Sequence, residues 1–203
     1  TSGPDHAGRL VGWDTNKEQL HKIIYLAKPT ITDTSFLNDL VIDNKHGVIY
    51  IADTAQGSQA AIIIVNLKTG EARRVLQDSQ YTTAEDIDIV INGRTMNLGG
   101  QPARLGVNPI TLDPNEDWLY FGSMSGTSVY RIATSAINNE QLSAKALEAK
   151  VMRYGTKPIS DGITVDGGGN VYVTDITNNA IGVVKPSGDY KVLFKDERLS
   201  WPD

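Results

Sequence analysis

Residues 37–53 (LNDLVIDNKHGVIYIAD), 107–122 (VNPITLDPNEDWLYFG) and 160–175 (SDGITVDGGGNVYVTD) repeat one pattern: a polar amide or acid, a short strand, an aspartate, a turn and a second strand. That repetition, and the further pair of short strands after each hairpin, predict an all-β chain built as a β-propeller of four-stranded antiparallel blades. The spacing agrees. Asn38 to Asn108 is 70 residues, Asn108 to Asp161 is 53 and Asp161 to Asp203 is 42, against about 40–50 for a compact blade.

The elements follow in order. Residues 8–27 hold two strand-like runs, RLVGW and LHKIIYL, which read as the outer half of a blade. Residues 36–77 make a blade whose last two strands, 61–67 and 71–76, turn at Lys68-Thr69-Gly70. Residues 78–105 are an insertion in which IDIVINGRTMNL reads as a hairpin turning at Asn92-Gly93. Residues 106–155 make a second blade, with 128–132 as its third strand and 151–154 closing it. Between these lies one inserted helix over 134–150, opened by Thr134 or Ser135, rich in Ala, Leu, Glu and Lys, and expected to pack on its own blade. Residues 159–195 make a third blade, its first hairpin turning on Gly167-Gly168-Gly169-Asn170 with positive φ and its second on Pro186-Ser187-Gly188. Residues 199–203 begin another unit. Half a blade followed by three whole ones cannot close a ring. Residues 1–203 are therefore expected to be a single partial propeller domain, a central fragment of a longer chain that forms no stable monomer alone.

Composition narrows the function. Basic residues number 19 and acidic ones 24, a net charge of -5, which excludes a broad polybasic surface for nucleic acid. The longest apolar run, 60–65, is far short of the ~20 residues that span a bilayer, so no membrane insertion is expected. Cysteine is absent, which removes disulfides, thiolate nucleophiles and sulfur-ligated zinc. Neither compartment nor oligomeric state can be read from the sequence.

Asn38, Asn108 and Asp161 occupy the same place in three successive units, just before the innermost strand. Repeat symmetry aims all three at one mouth of a central channel. Two amide oxygens and a carboxylate are hard ligands suited to Ca2+, and less well to Mg2+ or Mn2+; the bland reading is that they cap strand entries in Asx-type turns. Asp39, next along a strand, is expected to face away. Asp43, Asp113 and Asp166 read as turn-forming aspartates, and so do Asp53 and Asp175 at the ends of second strands. Gly122-Ser123-Met124-Ser125-Gly126 has methionine where a nucleophile elbow needs serine, and reads as a hairpin loop facing the channel. His6, His21 and His46 lack ligand spacing and read as solvated. Gly99-Gly100 cradles no phosphate, because no helix follows it. Trp13, Trp118 and Trp201 read as packing residues.

The segments FLNDLVID, GVNPITLD with WLYFGSMSGTSVYRI, and SDGITVDGGGNVYVTDITNNAIG with LSWPD resemble the major royal jelly protein/yellow family, nearest its bacterial members, from about Leu10 to Asp203. The resemblance implies a six-bladed β-propeller. More distantly the blade pattern is similar to regucalcin and gluconolactonase. That implies a divalent cation, Ca2+ first, held by Asn38, Asn108 and Asp161. It also implies metal-dependent hydrolysis of a small lactone or ester, with Asp161 or a second acid nearby taking the proton. Those enzymes add a glutamate from the first blade that has no counterpart here, so weak binding is expected. They also carry glycine where this chain has Pro109, which restricts Asn108 and is expected to change its aim. The alternative is a non-catalytic propeller that binds a small molecule, as the royal jelly and yellow relatives suggest; a long loop over the mouth, such as 78–105, would favour it. No feature favours a protein-interaction scaffold.

Overall fold

The computed structural model describes residues 8–203, so His6 lies outside the described residues. A two-stranded ribbon, β1 (Gly8–Asp14) and β2 (Gln19–Leu26), leads in. The first four-stranded sheet is β3 (Leu37–Asp43), β4 (Val48–Asp53), β5 (Ala61–Asn66) and β6 (Ala72–Val75). The insertion carries two small hairpins: β7 (Val90–Ile91) with β8 (Arg94–Thr95), and β9 (Asn97–Leu98) with β10 (Gln101–Pro102). The second sheet is β11 (Val107–Leu112), β12 (Trp118–Ser123), β13 (Ser128–Ala133) and β14 (Met152–Thr156). The third is β15 (Ile163–Val165), β16 (Val171–Asp175), β17 (Ala180–Val184) and β18 (Tyr190–Lys195). All three sheets are antiparallel meanders in chain order, and β11 lies between β3 and β15, so the first strands adjoin. This is blade architecture: an all-β chain of propeller type.

The apolar runs in β4 and β5 have a direct cause, burial on both faces. Ile62 and Ile64 face the second sheet and pack with Leu119, Phe121 and Ile132, while Ile63 and Val65 face the ribbon and pack with Ile24 and Leu26. A third cluster, Tyr120, Val129, Val171, Val173 and Val184, seals the second sheet to the third. The first and second sheets are therefore layers between two neighbours, the third packs on the second alone, and the core lies mainly at the layer boundaries.

Several local expectations change. Residues 134–150 form not one helix but two, α1 (Thr134–Ile137) and α2 (Ala144–Glu148). The intervening stretch offers side chains that compete for backbone partners: Asn139 Oδ1 accepts from the Gln141 N–H (3.0 Å), and Ser143 Oγ caps α2 through the Ala146 N–H (3.2 Å). Nor does this insertion serve its own sheet alone. Ile137 and Leu147 enter the core shared with the first sheet. Asn138 Nδ2 donates to Tyr50 Oη (2.7 Å), and Arg73 Nη2 donates to the Ile137 carbonyl (2.7 Å). The hairpin at Asn92-Gly93 is present, with φ of 50° and 74°, and a second one turns on Gly99-Gly100. In the third sheet's first hairpin only Gly169 of the glycine run uses positive φ, at 77°.

Candidate functional site

The mouth is built at the starts of the first strands, where two ladders are interrupted. In β3 the register breaks between Leu37 and Leu40, and in β11 between Val107 and Ile110. Each bulge leaves two residues out of the ladder and re-aims them. Pro109 falls in the second bulge, where its missing N–H breaks no ladder bond. In the third sheet the Thr174 hydroxyl oxygen pins the entry by accepting from the N–H groups of Asp161 (3.2 Å) and Gly162 (2.9 Å).

Asn38, Asn108 and Asp161 meet. Asn38 Nδ2 donates to Asn108 Oδ1 (2.6 Å), and Asn108 Nδ2 donates to Asp161 Oδ1. Pro109 thus does not turn Asn108 from the axis. Asn108 is 2% exposed, and Thr54 Oγ1 donates weakly to its oxygen (3.4 Å). The other oxygen of Asp161 accepts from the Trp201 indole Nε1–H. Trp201 is therefore no packing residue. It is 38% exposed and held at φ 54°, the left-handed region that bulky side chains avoid. Its neighbour Ser200 accepts from Asn92 Nδ2 (2.9 Å), which ties the tip of the inserted hairpin to this segment.

Asp39 does not face away. The β3 bulge cancels the alternation of a regular strand, and the Asp39 carboxylate bonds the N–H groups of Leu40 (2.8 Å) and Ile110. With Gly162 and Asp203 it borders a cavity of about 360 Å³. Burial raises its pKa above the usual carboxylate range, and the charges of Asp203 and Asp161 add to the rise. Asp161 is also raised, by burial first and then by Asp203, with the Trp201 and Asn108 hydrogen bonds opposing. Asp203 follows Asp161 by the same repeat that relates the other members. The mouth thus gathers Asp39 and Asp203 beside Asp161. Among the described residues no group of three or more His, Cys, Asp or Glu side chains is arranged to hold a metal; the available donors are amide and carboxylate oxygens together.

The remaining candidates take structural roles. Asp43, Asp113 and Asp166 each accept from backbone N–H groups of their own turn: His46 (2.8 Å), Trp118 (2.6 Å) and Gly168 (2.9 Å). His46 is not simply solvated, since its Nδ1 lies 2.8 Å from Asp43 Oδ2; His21 is exposed on β2. Asp175 holds its turn through the Asn178 N–H (3.1 Å). Asp53 does more than end a strand: it is fully buried against Arg74 Nη1 (2.6 Å) and accepts from the Phe36 N–H (2.7 Å). Met124 is buried, 2% exposed, among Ile89, Leu105 and Ile176. Trp13 is 58% exposed, and Trp118 lies beneath the Arg131 guanidinium.

Blade-type sheets with their first strands gathered around a polar mouth define a protein of the β-propeller class. A family model described as major royal jelly protein matches residues 5–196, and the chain belongs to that family. No curated protein matches it. Among solved structures it is similar to virginiamycin B lyase from Staphylococcus aureus, with 19% identity and a TM-score of 0.54 over 93% of this chain and 48% of that one. It is also similar to a gluconolactonase from Xanthomonas campestris, with 14% identity and a TM-score of 0.53 over 91% of this chain and 54% of that one. The chain thus spans about half the length of these structures. At such identities the likeness is one of fold.

Proposed function

We propose that the mouth lined by Asn38, Asn108 and Asp161 is a divalent-cation site, Ca2+ by preference, that serves hydrolysis of a small lactone or ester. The observation that carries this reading is the gathering of two amide groups with Asp39, Asp161 and Asp203; burial and the neighbouring negative charges raise the pKa of Asp39 and of Asp161. A cation relieves that repulsion, and hard oxygens suit Ca2+. Asn38 Oδ1, Asn108 Oδ1 and the Asp161 carboxylate would hold it, with the amide-to-amide bonds exchanged for ligation. Once bound, a cation supplies carbonyl polarisation and a more acidic water. The chain's own groups do the rest. Trp201 Nε1–H orients the Asp161 carboxylate, and Asp39, held at the cavity edge by the Leu40 and Ile110 N–H groups, takes the proton of the attacking water.

A second reading, capture of a small molecule without chemistry, is favoured by the part-exposed Trp201 ring and the hairpin tip tied beside it. Calorimetric titration with Ca2+, repeated on Asn108→Ala and Asp161→Ala, decides between them. Saturable binding lost in both variants supports the cation site, and lactone and ester hydrolysis is then assayed. No binding at millimolar Ca2+ overturns it and leaves ligand capture, followed through tryptophan fluorescence.

A further inference from the structure

The second and third sheets also form a crevice at the opposite end of their strands from the mouth. Its walls are the β11–β12 turn at Asn115, the β15–β16 turn at Gly167, the Pro186 ring and the side chains of Tyr120, Tyr154 and Arg131, around a cavity of about 330 Å³. Both sheets are complete four-stranded units, so every wall of the crevice belongs to the described residues. Arg131 is the unusual member. Its guanidinium lies over the Trp118 ring (4.2 Å to the centroid) and the Tyr154 ring (5.0 Å). Among the described residues no carboxylate lies within ion-pair distance of it, and its one hydrogen bond is a long one from Nη1 to Tyr120 Oη (3.4 Å). Its Nε–H is buried with no acceptor at all.

A buried donor without an acceptor is uncommon in folded proteins and calls for a specific cause. The two bordering aspartates do not supply one. Asp113 Oδ1 is turned onto the Asp117 and Trp118 N–H groups, and Asp166 onto those of Gly168 and Asn170 and onto the Tyr172 hydroxyl. A planar cation stacked on aromatic faces leaves its edge for a planar, two-oxygen acceptor, and the tyrosine rings beside it offer an apolar body somewhere to lie. We propose that this crevice binds a small organic carboxylate through Arg131, at a site separate from the mouth.

The test is titration of the protein with sodium benzoate at low ionic strength, followed by calorimetry. Saturable binding that weakens as salt is added is expected. Arg131→Gln should abolish it. Arg131→Lys, which keeps charge but loses the planar fork, should weaken it about tenfold or more. Gly167 lines the crevice and a Cβ there meets nothing within 4 Å, so Gly167→Glu fits without disturbing the packing and brings a further negative charge to the crevice rim. That variant should lose benzoate binding with an unchanged unfolding midpoint, which separates loss of the site from loss of the fold. Asn108→Ala should bind benzoate normally. Unaltered affinity in Arg131→Gln, or no saturable binding by the unmodified protein, overturns the proposal. Binding of inorganic phosphate without binding of benzoate overturns the carboxylate assignment.

Discussion

Asp39 is half-buried and Lys157 fully buried, and burial moves them in opposite directions because it disfavours charge in each. Asp39 is raised without a cation and a bound Ca2+ would draw it back down, so hydrolysis at the mouth is expected to climb with pH as the base ionises. Asp39→Asn should flatten that limb of the pH–rate profile while keeping Ca2+ affinity within a few-fold; an unchanged profile would remove Asp39 from the reaction. Lys157 is 2% exposed, with Nζ donating to the Gly126 carbonyl (2.8 Å) and the Pro158 carbonyl (3.1 Å), and burial lowers its pKa from 10.5 to about 7. Between those two values the unfolded chain binds the proton that the folded one has released. Folding stability therefore rises with pH across that window, and below about pH 7 both states are protonated and this group adds no slope. Urea unfolding at pH 7.5 and 9.5 should show the rise, at up to about 1.4 kcal/mol per pH unit, and Lys157→Met should abolish it.

At the scale of the elements, the site depends on bulges and close backbone contacts. Gly106 leads into β11, and a Cβ there would lie 2.4 Å from Ala60 Cβ and 2.7 Å from the Thr82 carbonyl oxygen. Gly106→Ala is expected to cost about 1–3 kcal/mol by overpacking and to shift Asn108, so Ca2+ affinity should fall with stability in the same variant. The Asp53–Arg74 pair, whose side chains are 0% and 8% exposed, fastens β6 to the end of β4. Arg74→Met leaves a buried carboxylate unpaired and should cost about 3–5 kcal/mol in chemical denaturation. The sheets were legible in the sequence because every hairpin repeats its aspartate and turn at the same offset, and those aspartates do bond their own turns. Asn38, Asn108 and Asp161 were legible for the same reason, repeat position being enough to bring them together. Asp39 was not. Strict alternation assigns it to the far face, and a one-residue slip within LNDL leaves no mark on a hydrophobic pattern. Trp201 escaped because its partner is 40 residues distant, and an isolated tryptophan near a proline carries no sign of an indole aimed at a carboxylate. The single expected helix failed on local chemistry, since Asn139 and Ser143 offered the backbone alternatives that a propensity sum over 134–150 does not register.

Across the whole molecule, apolar side chains are concentrated where sheets lack a neighbour. Val11, Trp13, Leu20 and Tyr25 are 50–66% exposed on the ribbon, and Val192, Leu193 and Phe194 are 44–54% exposed on β18, the last strand of its sheet. Contiguous apolar surface beside a free strand edge favours association. The 203-residue chain alone is expected to sediment as a concentration-dependent mixture and to bind hydrophobic dyes. A single monomeric boundary over a hundredfold range of concentration, with no dye binding, would contradict this. The hydrogen-bonded line from Asn38 through Asn108 and Asp161 to Trp201 has a kinetic consequence as well. Its links join residues 70, 53 and 40 positions apart, whereas each meander pairs strands that are neighbours in sequence. Local hairpins can therefore form first, and the line closes only after three separate sheets have docked. Contacts made after the transition state leave the rate of folding alone and act on the rate of escape. In stopped-flow measurements Asn108→Ala should leave the refolding arm of the chevron in place and raise the unfolding arm, so that the residues lining the mouth govern how long the native state lasts once it has been reached.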